Sequence, residues 1–141
     1  MSIIENLSEL SLQYFALVRQ LSSKFELTLS QTLILLSIPF DGVTISDLSE
    51  KLGIDISTMT RNIQRIEKKN LVKRLPNPDD KRSIKLFLSQ RGVTLSNSLN
   101  LEISASLDSI LEKYDLKTSN QIKNNLENLS WDLYLYRQNL K

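Results

Sequence analysis

The chain contains no cysteine and no histidine. Without cysteine there are no disulfides, no thiolate metal ligands and no thiol redox switch. Without histidine there is no imidazole base and no imidazole ligand. Ser–His–Asp and Cys–His arrangements therefore cannot be assembled within one chain. The three glycines stand at 42, 53 and 92, so no glycine-rich loop can cradle a phosphate. Lysine or carboxylate chemistry has no motif behind it either. A non-enzyme without metal or cofactor is expected.

Only three prolines interrupt the 141 residues, which disfavours disorder and favours helix. No apolar run approaches the ~20 residues needed to cross a bilayer. The opening "MSIIENLSEL" lacks the basic and apolar regions of a signal peptide. A cytoplasmic protein with no membrane partner is expected. At 40% hydrophobic, the chain can bury one core, covering about two thirds of the unfolded surface at this size.

Charge is distributed unevenly. The total is +2, but residues 45–92 carry a net +5 and the remainder −3. Within 56–92 ten bases stand against three acids. A basic centre between acidic flanks is the footprint of a polyanion-binding module on a separate scaffold.

Apolar spacing predicts a first helix over 3–24. Ile3, Leu7, Leu10, Tyr14, Leu17 and Leu21 form one stripe, and Ile4, Phe15 and Val18 a second. A helix apolar on two sides needs two partners, which suggests an oligomer contact. Thr28 and Gln31 have capping-box spacing before a buried helix over about 29–38, ended by Pro39. Thr44 caps a helix that Gly53 closes, and Asp55 caps the next. Two helices joined by about three residues containing Gly have helix-turn-helix spacing.

In the second of these helices Ile56, Met59, Ile63 and Ile66 fall within an arc of about 80°. Ser57, Thr58, Arg61, Gln64, Arg65 and Lys68 hold the opposite arc, with no acid among them. Arg suits guanine, Gln adenine, and hydroxyls either bases or phosphates, so this face fits a major groove. The plain alternative is a solvated outer face, but such faces normally mix both signs.

Asn70 can end that helix in the left-handed conformation. "LVKRL" and "SIKLFL" then read as two antiparallel strands around "RLPNPDDKRS". Pro78 can seat the turn. Lys73, Arg74, Lys81, Arg82 and Lys85 are candidate phosphate or minor-groove contacts. Asp80 is expected to pair with the Arg82 guanidinium and orient it. A surface ion pair worth ~0–1 kcal/mol is the plain reading of that pair. Ser89 caps a long helix striped by Leu99, Ile103, Leu107, Ile110 and Tyr114; a last helix carries Ile122, Leu126, Leu129, Leu133, Tyr136 and Leu140. The expected fold is mainly α with a small β-hairpin wing.

The segments "LTLSQTLILLSI", "TISDLSEKLGIDISTMTRNIQRIEKKNLVKR", "DDKRS" and "LSQRG" together resemble the MarR family of bacterial and archaeal transcription regulators, from about Leu27 to Gly92. "STMTR" and the wing residues Pro78, Asp80 and Arg82 carry the most specific part. The resemblance implies a winged helix-turn-helix, probing double-stranded DNA at a near-palindrome as a homodimer, most often as a repressor. It implies a dimerisation helix over 1–26, a DNA-binding domain over 27–92, and dimerisation helices over 93–141 forming one unit with the first. It places Ser57, Thr58, Thr60, Arg61 and Gln64 on the recognition helix and Arg82 at the wing tip. Asn70, Lys81 and Ser89 depart from the usual Gly, Arg and Thr. Cysteine-based oxidant sensing and histidine-based zinc sensing are excluded here. A small aromatic or phenolic effector is implied for many relatives, with Tyr14, Phe15, Trp131 and Tyr134 as candidates, although aromatics at helical spacing are more often core. The competing class is a winged-helix protein-interaction module, for which an apolar or acid-complementary recognition face would be needed.

Overall fold

The computed structural model describes all residues, Met1–Lys141. The order is α1 (Ile3–Ser23), α2 (Leu29–Leu36), β1 (Val43–Thr44), α3 (Ile45–Leu52), α4 (Ile56–Lys68), β2 (Val72–Pro76), β3 (Ile84–Leu88), α5 (Gln90–Leu111) and α6 (Leu116–Asn139). The chain forms two compact units, Met1–Ile103 and Ser104–Lys141, with α5 running from the first into the second. No helix is long and apolar enough to cross a membrane.

Local chemistry explains each start. Thr28 accepts the Gln31 amide at 3.2 Å and Gln31 reaches back to the Thr28 amide at 3.3 Å, a complete capping box. Ser2 and Glu5 build a second box on α1, a signal the apolar stripes had overshadowed. Thr44 and Asp55 cap α3 and α4 through the amides of Asp47 and Thr58. Gly53 ends α3 at φ 65° and Asn70 follows α4 at φ 60°, both left-handed as their side chains allow.

The core of the first unit gathers Ile34, Leu35, Leu48, Met59, Ile63, Ile66, Leu71, Leu86 and Leu99. It joins α2, α3, α4, the sheet and the beginning of α5. Ile56 was expected inside with Met59 but is 58% exposed. It is the first residue of α4, and only from Met59 onward does that stripe face the core.

The expected hairpin is the outer part of a three-stranded antiparallel sheet, ordered β1-β3-β2. Val43 pairs with Leu86, and Arg74 with Leu86 on the other side. The N-terminus of α5 docks tightly on the turn after α4. Ser89 Oγ donates to the Asn70 carbonyl at 2.6 Å and accepts the Gly92 amide at 3.0 Å. A Cβ at Gly92 would lie 2.0 Å from the Leu71 carbonyl oxygen, so only glycine fits there.

The second unit is different. Of α6, Ser119 alone is buried, its hydroxyl bonded to the Leu111 carbonyl at 3.0 Å. Trp131 at 59% and Tyr136 at 65% are exposed, as are Leu126, Leu129 and Leu133.

Candidate nucleic-acid interface

Helix α4 buries Met59, Asn62, Ile63 and Ile66 and turns the opposite face outward. Ser57, Arg61, Gln64, Arg65 and Lys68 are exposed, while Thr58 and Thr60 are half-buried on its two flanks. The face is free of acids because Glu67, the one carboxylate within α4, turns to β2. There it takes Arg74 Nε at 2.9 Å and a terminal guanidinium nitrogen at 2.8 Å.

At the start of α4 three side chains are linked. Asp55 Oδ1 accepts the Thr58 amide at 2.8 Å, Asp55 Oδ2 accepts the Thr58 hydroxyl at 2.7 Å, and a terminal nitrogen of Arg61 donates to Thr58 Oγ1 at 3.3 Å. The amide of Thr58 first, and its hydroxyl second, hold the Asp55 carboxyl below the usual carboxylate range, with a smaller pull from Arg61.

The wing tip between β2 and β3 is closed by its own hydrogen bonds. Asn77 is the centre. Its amide donates to the Ser83 carbonyl at 3.0 Å, its side-chain nitrogen to Ser83 Oγ at 3.0 Å, and its side-chain oxygen accepts the Asp79 amide at 3.0 Å. Asp80 Oδ1 accepts the backbone amide of Arg82 at 3.0 Å. The expected guanidinium pairing is therefore replaced. A carboxylate two residues before an amide closes an Asx turn locally, and it shapes the backbone under Arg82 rather than gripping the guanidinium. Lys81 and Arg82 are exposed at the tip and Lys73 on β2.

Two expected phosphate contacts have other partners. Arg74 is held by Glu67, a strut between α4 and the β2–β3 wing. Lys85 donates to the Asp41 carbonyl at 3.2 Å, because its position opposite Thr44 turns it to the loop before β1. Sequence spacing missed Asn77 and Glu67. "NPDD" did carry a signal for Asn77, since Asn commonly bonds an amide two residues on.

The four candidate effector aromatics form two pairs in separate units. Tyr14 and Phe15 are tilted neighbours with ring centroids 5.8 Å apart, and Trp131 and Tyr134 stack at 5.3 Å. The latter pair borders an open recess of about 490 Å³ with Glu127, Asn128 and Ser130. A larger cleft of about 610 Å³ in the first unit contains none of the four; Lys24, Phe25, Lys69 and Arg91 are among its walls.

Comparison with known proteins bears on the whole arrangement. The model of the MarR family matches residues 27–84. The multiple antibiotic resistance protein MarR of Escherichia coli is 30% identical over 98 residues, covering 69% of this chain and 68% of the relative. A MarR transcriptional regulator from Methanosarcina mazei superposes with a TM-score of 0.83 at 24% identity, over 95% of this chain and 97% of the other. The S. aureus MepR–DNA complex does so at 0.75 and 18% identity, over 94% and 98%. On the winged helix-turn-helix and these matches together, the chain belongs to the MarR family.

Proposed function

We propose that this chain is a sequence-specific regulator of transcription that binds double-stranded DNA as a homodimer, in the cytoplasm, as a repressor at a near-palindromic operator. The observation that carries the reading is the acid-free exposed face of α4 with basic side chains at the adjoining wing. Ser57, Arg61 and Gln64 would face base edges in the major groove. Thr60, Arg65 and Lys68 would flank them, and Lys73, Lys81 and Arg82 would meet backbone or minor groove. The shared fold with a relative seen on DNA supports this docking. Residues 27–92 would form the DNA-binding domain, with α1 and the helices of 93–141 covered by the second protomer. Arg74 and Lys85 enter as a strut and a loop tie.

The test is anisotropy of labelled duplex selected by the protein from a random pool, against scrambled competitor. Six to ten phosphate contacts give a loss of ~10³–10⁵ in affinity between 50 and 200 mM salt. Specific binding with that salt dependence, abolished in Arg61→Ala, is the expected result. Salt-insensitive or competitor-sensitive binding alone would remove the regulator reading. An aromatic effector, if one binds at the Trp131–Tyr134 stack, would change the emission of Trp131, the single tryptophan of the chain.

A further inference from the structure

We propose that Asp55, Thr58 and Arg61 form a directional hydrogen-bond chain that presets the Arg61 guanidinium before DNA arrives, so that Asp55 and Thr58 are positioning residues for base reading. The inference rests on the regulator reading above and deepens it.

The direction follows from donor and acceptor chemistry. An ionised carboxylate only accepts, and a guanidinium only donates. Both Asp55 oxygens are occupied by Thr58, one by its amide at 2.8 Å and the other by its hydroxyl at 2.7 Å. The single hydroxyl proton of Thr58 is therefore committed to Asp55. What Oγ1 presents elsewhere is lone pairs, and Arg61 donates to them at 3.3 Å. Residues three apart are neighbours on a helix surface, so the contact needs no distortion.

Two consequences follow. Thr58 cannot donate to a phosphate while the chain is intact, so it acts through Arg61 instead of touching the backbone as a hydroxyl donor. One terminal nitrogen of Arg61 is held, which restricts a side chain with four rotatable bonds and leaves the remaining fork for a bidentate guanine contact. Ordering such a side chain in advance is worth about three- to tenfold in affinity.

The chain can be weakened at its carboxylate end without removing the cap. Asn is as good an N-cap as Asp. In Asp55→Asn the side-chain oxygen still accepts the Thr58 amide, but the nitrogen beside it donates to Oγ1. The hydroxyl proton then loses its carboxylate acceptor, and Arg61 must share the two lone pairs of an unpolarised Oγ1 with a second donor. Thr58→Val removes the link at nearly constant shape and charge. Thr58→Ser keeps it.

The experiment measures the ratio of affinities for the selected duplex and a scrambled duplex, together with Tm, in wild type, Asp55→Asn, Thr58→Val, Thr58→Ser and the combination of each with Arg61→Ala. A ratio, unlike a single affinity, is insensitive to the uniform gain from deleting a negative charge near DNA. The expected result is a ratio about three- to tenfold lower in Asp55→Asn and Thr58→Val, restored in Thr58→Ser, and no further fall when either is added to Arg61→Ala. Unchanged ratios, or effects that add fully to Arg61→Ala, would overturn the chain while leaving the regulator reading intact. If wild type prefers no duplex, that reading falls, and the chain is judged on the free protein. There the Arg61 side-chain Nε order parameter from ¹⁵N relaxation is expected to drop in Thr58→Val, and equal values would overturn it.

Discussion

Single side chains decide which cationic groups stand exposed and which hold the fold. Arg74 is two-thirds or more buried against Glu67, whereas Lys73 beside it is exposed. Replacing Lys73 by Met is expected to lower the slope of log affinity against log salt by about 2 for a homodimer, the mark of one lost phosphate contact in each protomer. Arg74→Met is expected to leave that slope unchanged and to cost at most about 1 kcal/mol of stability, since the pair is still partly solvated. A slope lowered as much in Arg74→Met as in Lys73→Met would show that Arg74 does meet a phosphate. At the wing, Asp80→Asn keeps an oxygen for the Arg82 amide, while Asp80→Ala does not. A double mutant cycle with Arg82→Ala on DNA affinity should show little coupling for the Asn variant; coupling above about 1 kcal/mol would restore the ion pair that the spacing had suggested. Caps such as Thr28, Thr44, Asp55 and Ser89 were readable because they act within three residues. The Glu67–Arg74 strut was not, because it joins residues seven apart across a helix end, a left-handed Asn70 and a strand.

Elements begin and end where these side chains say, and some of those ends carry charge. Glu5, Asp55 and Asp115 each cap or start a helix, and amide and hydroxyl donors hold all three below the usual carboxylate range. A carboxyl depressed in the folded state stabilises above its unfolded pKa and loses that contribution as pH falls through the folded value. The N-terminal ends of α1, α4 and α6 should therefore fray on acidification from the ordinary carboxylate range downward. The drop in urea midpoint between pH 6 and pH 3 should be smaller in the triple variant Glu5→Gln, Asp55→Asn, Asp115→Asn; an equal drop would place acid sensitivity elsewhere. The joint between α4 and α5 admits no side chain at Gly92, with backbone 2.0 Å from where a Cβ would sit. Gly92→Ala is expected to destabilise by about 1–3 kcal/mol, against the usual helical preference for Ala, and a higher denaturant midpoint would contradict the close approach. All six helices and the β2–β3 hairpin were legible from periodicity. Strand β1 was not, because two residues are too few for a period, and its partner β3 lies beyond α3, α4 and β2 in the sequence.

For the whole molecule, the deciding fact is surface left uncovered. In the first unit Ile3 and Ile4 on α1 are more than two-thirds exposed, and in the second unit the apolar side of α6 faces outward with a single buried residue. Soluble monomers rarely leave contiguous apolar patches of that kind, and a stable protein interface needs ~1,200–2,000 Å². The stripe Leu126, Leu129, Leu133, Tyr136 and Leu140 has the length to contribute much of it. Sedimentation is expected to give about twice the 16.2 kDa of the chain, and the urea midpoint is expected to rise with protein concentration, since a dimer dissociates as it unfolds. Leu129→Glu with Leu133→Glu places two charges on the stripe, where burying them unpaired would be costly. That variant should sediment as a monomer, lose the concentration dependence, and bind DNA with roughly half the wild-type salt slope, as one recognition helix and one wing remain on one half-site. If wild type sediments at 16.2 kDa with a concentration-independent midpoint, the uncovered faces belong to some other partner, and the two-fold operator falls with the dimer.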